Sequence, residues 1–135
     1  MPRRFIRHPA AIPIKLVPNT YNEETVFTAD VSAGGLSCVS DHMVPPGVIV
    51  DVKIYIQEPP FEICGHVVWC RRKENGFHVG ISFSDLPSAH TLRMVEQVCH
   101  IEQYRQEAYS QGRYLSQEDA ALEWIAKHAA NFYPH

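Results

Sequence analysis

The residues best equipped for chemistry lie in two short stretches near the N-terminus. The second of them, Asp30-Val31-Ser32-Ala33-Gly34-Gly35-Leu36, reads as a strand end running into a glycine turn and then into another strand. Asp30 and Ser32 are two apart, so on an extended segment they project to the same side, setting an ionised acceptor beside a hydroxyl that both donates and accepts. That pairing suits a purine edge. Gly34 and Gly35 lack a Cβ, so the turn is open to positive φ and to the close approach of a ligand or another backbone. Polar residues and glycines between apolar runs also describe any tight connection between strands, and taken alone the stretch favours that plainer reading.

The first stretch shifts the balance. Met1-Pro2-Arg3-Arg4-Phe5-Ile6-Arg7-His8-Pro9-Ala10 places three arginines and a histidine between two prolines. Pro9 disfavours helix at His8, which predicts an arm with at most one helical turn. A solvated basic tail is the plain alternative. Against it, Phe5 and Ile6 sit among the charges and would pack, pinning the arginines to the body. Arg3 and Arg7 are four apart, on one side of a helical turn or within reach of one ligand if the arm wraps. The planar guanidinium fork grips phosphate or the O6/N7 edge of guanine and stacks on a base. Asp30 supplies the complementary acceptor for guanine N1–H and its exocyclic amine. Together the two stretches fit an anionic ligand containing guanine.

The rest of the chain must position them. With 135 residues, 45% hydrophobic and 20% charged, the composition is that of one folded domain plus an appendage. A formal charge of -3 provides no global field for a polyanion, so a general nucleic-acid binder is not expected. Cys38, Cys64, Cys70 and Cys99 show no C-x-x-C spacing and no secretory leader precedes them, which predicts reduced thiols and a cytoplasmic location. No apolar run approaches the ~20 residues of a membrane-spanning helix.

Alternation of Ile12, Ile14 and Leu16 around Lys15 predicts a first strand, followed by turn residues and a β-rich run from Thr25 to Val31. Leu36 to Ser40 follows the glycine turn. Val48 to Ile56 alternates most cleanly, with Val48, Val50, Val52, Ile54 and Ile56 on one face. Phe61 to Cys70 is apolar on both faces and is expected to be covered on both. Asn75-Gly76 reverses a hairpin into Phe77 to Phe83. Six short strands with regular turn signals read as an antiparallel barrel. From Ser88 to Ser110 the period becomes helical, with Thr91, Met94, Val95, Val98, Ile101, Tyr104 and Ala108 on one stripe. Ser116 with Asp119 opens a second helix, whose stripe of Ala121, Trp124, Ile125, His128 and Ala129 either packs on the domain or meets a partner.

Cys64, His66 and Cys70 fall on one face of the Phe61 to Cys70 segment, which raises a zinc site. Same-face neighbours on a strand stand roughly 6.5 to 7 Å apart and converge poorly on one ion, so cysteines buried in a barrel wall are the better reading and no metal is expected. The chain has no Gly-x-Ser-x-Gly elbow and no His-Glu-x-x-His pair. An enzyme is not expected.

The two stretches resemble the motifs of the PilZ domains, bacterial receptors for cyclic di-GMP: Arg-x-x-x-Arg, here Arg3-Arg4-Phe5-Ile6-Arg7, then Asp or Asn-x-Ser-x-x-Gly, here Asp30-Val31-Ser32-Ala33-Gly34-Gly35. The resemblance extends from residue 3 to about residue 86 and takes in Gly65, Val67 and Trp69 and the run Val79-Gly80-Ile81-Ser82-Phe83. It implies a mainly β fold, a six-stranded antiparallel PilZ-type barrel with C-terminal helices. It implies that Arg3 and Arg7 hold phosphates and guanines, that Arg4 assists, and that Asp30, Ser32 and Gly35 line the surface beneath a guanine. The expected organisation is a ligand-binding arm over 1–10, a barrel with its following helix over 11–111, and a helical extension over 112–135.

No cofactor is expected, only the ligand cyclic di-GMP, taken as one molecule or as a stacked pair. The arm closing over it would signal to an effector protein, through the C-terminal helices or another surface. The alternative is a ligand-independent PilZ-like adaptor of a type IV pilus or flagellar motor. On this reading removal of the Asp30 or Ser32 side chain leaves the fold intact, and Gly35 is needed for positive φ.

Overall fold

Hydrophobic side chains repeating at every second position build the molecule around one closed sheet. The computed structural model describes residues 7–18, 24–56, 59–74, 76–84 and 88–128. Its elements are β1 (His8–Pro9), β2 (Pro13–Pro18), β3 (Glu24–Val31), β4 (Gly35–Ser40), β5 (Ile49–Ile54), β6 (Phe61–Lys73), β7 (Gly76–Phe83), α1 (Ala89–Ser110) and α2 (Gln117–His128). Strands β3, β2, β5, β6, β7 and β4 are antiparallel neighbours in that order, and β4 returns to pair with β3. The sheet therefore closes into the expected six-stranded barrel and buries its own edges. β1 stands outside the circuit and pairs with the C-terminal end of β3, His8 opposite Val31 and Pro9 opposite Asp30.

The alternation read from the sequence is the alternation of the barrel wall. Ile12, Ile14 and Leu16 are buried, as are Val50, Val52, Ile54 and Ile56, while Asp51 on the other face of β5 is exposed. Thr28 is a buried polar exception whose hydroxyl accepts from the Ile12 amide at 2.9 Å and donates to the Ala10 carbonyl. It ties the stretch between β1 and β2 to β3 where the ladder is interrupted. Ala10 is itself buried.

β6 departs from the expectation that both its faces are covered. Glu62, Cys64 and Val68 are exposed, Val68 by 46%. The register slips between Val67 and Trp69, so one extra residue opposes β7 at that point. Beyond the slip Cys70 turns inward and packs against the core, whereas Cys64 faces out. A bulge cannot be read from a run of mixed apolar residues. It also separates the cysteines of the suspected zinc set, and no cluster of three metal-ligating side chains occurs among the described residues. Of the four thiols only Cys38 is fully buried. Trp69 lies over Gly80, where a Cβ would stand 2.2 Å from the indole, so the glycine makes room for the aromatic plate.

A reciprocal capping box starts α1: the Ser88 hydroxyl accepts from the Thr91 amide at 3.3 Å and the Thr91 hydroxyl accepts from the Ser88 amide at 2.9 Å. Its stripe buries Thr91, Met94, Val98, Ile101 and Ala108, and Met94, Val98 and Ile101 join the barrel's own core. Gly112, at φ +83°, ends the helical path. The Ser116 hydroxyl then accepts from the Asp119 amide at 3.0 Å and caps α2.

The α2 stripe packs on the domain. Ala121 and Trp124 belong to the same core, and Trp124 stacks on His128 with ring centroids 4.5 Å apart. Ala129 lies outside the described residues. Polar contacts fasten α2 to α1 along the rim: Tyr104 donates to Glu123 at 2.8 Å, Lys127 donates to the Tyr104 hydroxyl at 2.7 Å, and Arg113 pairs with Glu123 at 2.9 Å. The Arg113 guanidinium, and after it the Tyr104 hydroxyl, hold the Glu123 carboxyl below the usual carboxylate range. No helix among the described residues is long and apolar enough to cross a membrane.

Candidate functional site

The two polar stretches converge where β1 meets β3. Asp30 is the penultimate residue of β3 and Arg7 immediately precedes β1, so antiparallel pairing of two residues is enough to bring together side chains 23 positions apart. An Arg7 Nη1 donates to Asp30 Oδ1 at 2.6 Å, and both side chains keep a little over a quarter of their surface in solvent. The result is a charge-assisted pair that water and solutes can still reach. Arg3 and Arg4 lie outside the described residues, as do Phe5 and Ile6.

Ser32 occupies a different position from the one its spacing suggested. It is buried, and its hydroxyl is engaged inside the turn: it accepts from the amides of Gly34 and Gly35, each at 3.2 Å, and donates to the Gly35 carbonyl at 3.1 Å. The Ser32 amide also donates to that carbonyl at 2.8 Å. A serine that satisfies two amides and one carbonyl of its own turn is a structural staple. The expectation that its removal leaves the fold intact is therefore revised.

Gly35 is needed for space, not for backbone freedom. Among the described residues positive φ occurs at Gly47, Gly76 and Gly112, and neither Gly34 nor Gly35 adopts it. A Cβ on Gly35 would meet the Ile81 carbonyl oxygen of β7 at 2.1 Å. The close approach of another backbone, one of the two uses foreseen for the glycine, is the one realised. It seats the turn between β3 and β4 directly on β7, and the Phe83 amide donates to the Gly34 carbonyl at 2.9 Å. The turn that follows Asp30 is consequently built into the barrel wall against β7.

One contact of the site has no forewarning in the sequence. His8, next to Arg7, places its ring nitrogens 3.6 and 3.8 Å from the Cys99 sulfur on α1. Burial, reinforced by Glu96, pushes the Cys99 thiol up from its ordinary value, so it stays protonated at neutral pH beside the imidazole. Ninety-one residues separate the partners, and no local periodicity links them.

The chain matches the family described as PilZ domain over residues 2–100. Among solved structures it is similar to YcgR from Escherichia coli in complex with c-di-GMP, at 13% identity and a TM-score of 0.65, covering 82% of this chain and 50% of that one. The isolated PilZ domain of YcgR with c-di-GMP is similar at 13% identity and a TM-score of 0.60, covering 85% of this chain and all of that one. The inhibitor of motility MotI/DgrA from Bacillus subtilis is similar at 14% identity and a TM-score of 0.62, covering 76% of this chain and 52% of that one. The chain thus spans about half the length of the full YcgR and MotI chains, and at these identities the likeness concerns the fold. No curated protein matches it.

Proposed function

The chain belongs to the PilZ domain family, and from that premise we propose that it is a receptor for cyclic di-GMP that relays ligand binding to a partner protein. The supporting observation is the convergence of both motif stretches at one solvent-reached point, Arg7 on Asp30 at 2.6 Å above a turn fixed by Ser32 and Gly35. YcgR, whose fold this chain shares, is described in complex with c-di-GMP.

In this reading Asp30 accepts from the Watson–Crick edge of a guanine while Arg7 turns its fork toward a phosphate or the guanine O6/N7 edge. The ion pair holds each group in place until the ligand shares both. Arg3 and Arg4 add charge for the two phosphates of the ligand, and their approach closes the arm over it. Ser32 and Gly35 act through the turn: they set the height and rigidity of the surface under the base. Nothing in this scheme makes or breaks a covalent bond, so the output is a change of shape, read by a second protein. Work of this kind fits a protein of the cytoplasm.

Calorimetric titration of the full chain with cyclic di-GMP, with GTP and a short oligonucleotide as controls, tests the reading. Saturable binding of cyclic di-GMP alone is expected. A flat titration overturns it and leaves the ligand-independent adaptor in its place.

A further inference from the structure

Arg7 and His8 are consecutive residues whose side chains are held by different parts of the molecule. Arg7 is fastened to Asp30 on the barrel and His8 to Cys99 on α1. Arg7 immediately precedes the two-residue strand that His8 opens, so a displacement of Arg7 is passed through a single peptide unit to His8. On the far side, Cys99 follows Val98, which is fully buried in the shared core, and two positions on comes Ile101, also buried. This part of α1 is therefore seated firmly, and the next turn of the helix carries Tyr104, the hub of the contacts to α2.

We propose that Cys99 and His8 form a latch that positions Arg7 at the ligand site and couples that site to α1. The inference rests on the receptor reading above. Cys99 touches neither Asp30 nor the ligand in this scheme; it is a positioning residue that acts through His8. The Sγ to ring-nitrogen separations of 3.6 and 3.8 Å are those of a weak bond, made or lost at modest cost, which is what a coupling element requires. Because coupling between sites is reciprocal, a partner that grips α1 and shifts Cys99 would also alter ligand affinity. The output face of the domain is then the α1–α2 layer.

The test uses the full chain, cyclic di-GMP, and the variants Cys99→Ala, Cys99→Ser and His8→Ala. Calorimetry gives affinity, and hydrogen exchange followed by mass spectrometry reads residues 89–110 with and without ligand. Loss of one weak hydrogen bond predicts affinity reduced between about twofold and tenfold in Cys99→Ala. Cys99→Ser, which keeps a donor at the same place, should recover most of the loss. In the wild-type chain the ligand should slow exchange in α1, and His8→Ala should abolish that response even at saturating ligand. A purely structural role for the contact would shift the melting temperature but leave the α1 response intact. Wild-type binding with an unchanged affinity in Cys99→Ala, or an α1 response that survives in His8→Ala, overturns the latch alone. Failure of the wild-type chain to bind overturns the receptor reading and the latch with it.

Discussion

Gly35 of β4 lies so close beneath the Ile81 carbonyl of β7 that a Cβ on it would stand 2.1 Å from the oxygen. That contact is between two backbones and has no flexible end to yield. A side chain at position 35 must push β4 away from β7 and lift the turn that carries Ser32. Gly35→Ala should therefore destabilise the domain by about 2 to 4 kcal/mol, and Gly35→Val should fold poorly. Chemical denaturation of the alanine variant checks the value. A variant as stable as the wild type would mean that the strands separate without cost.

Asp30 and Ser32, two residues apart, are expected to behave oppositely. Ser32→Ala leaves two turn amides without their acceptor, that of Gly35 in a buried setting, and should cost about 1 to 3 kcal/mol of stability. Asp30→Ala removes a part-exposed carboxylate whose partner Arg7 can turn to water, so the melting temperature should move little while ligand affinity falls. Thermal melts and titrations of the two variants, run side by side, separate the roles.

Arg7→Ala should weaken cyclic di-GMP binding by about 1.5 to 3 kcal/mol, the worth of a hydrogen bond to a charged group. Lys15, whose ammonium lies over the Tyr55 ring at 5.6 Å, sits on β2 away from the Arg7–Asp30 pair, and Lys15→Ala should cost little binding. Equal losses in the two variants would point to diffuse charge attraction in place of a built site.

How far the fold was legible follows from which forces act locally. The alternation at Ile12, Ile14 and Leu16 and at Val50, Val52 and Ile54 announces strands because one face must be buried, and the stripe from Thr91 to Ala108 announces a helix for the same reason. The bulge after Val67 was not legible, since it depends on how β6 meets β7 around the curve of the barrel. At the site, residue types singled out Asp30 and Arg7 for one ligand, and the structure brings the two into contact. They did not reveal that the Ser32 hydroxyl would be used up by its own turn, because serine serves turns and ligands with the same three bonds. The His8–Cys99 contact belongs to tertiary packing alone.

The contacts between α1 and α2 should weaken in acid. Glu123 has its carboxyl lowered by Arg113 and Tyr104, so its contribution is present above the unfolded value and is lost as pH falls through the lower folded one. The side chain keeps 31% of its surface in solvent, and the effect on stability is correspondingly small. Melting temperature followed downward through the carboxylate range should fall more steeply in the wild type than in Glu123→Gln, which lacks the titrating group. Parallel profiles would show that the ion pair contributes nothing to the docking of α2.

Two truncations separate ligand binding from the stability of the barrel. Removing residues 1–6 deletes Arg3 and Arg4 but leaves Arg7 on Asp30, β1 paired with β3, and Ala10 and Thr28 in place. Removing residues 1–9 also deletes β1, uncovers the end of β3 at Asp30 and Val31, and breaks the contact to Cys99. Both should lose cyclic di-GMP binding. The longer truncation should in addition melt below the shorter one, because β1 pairs with the end of β3 at Asp30 and Val31 and its loss leaves that strand edge uncovered. Hydrogen exchange at Val31 and at residues 95–103 should rise only in the longer truncation. Equal melting temperatures for the two would mean that β1 contributes nothing to the free domain. Tight binding by the shorter one would assign the phosphate contacts to Arg7 without Arg3 or Arg4.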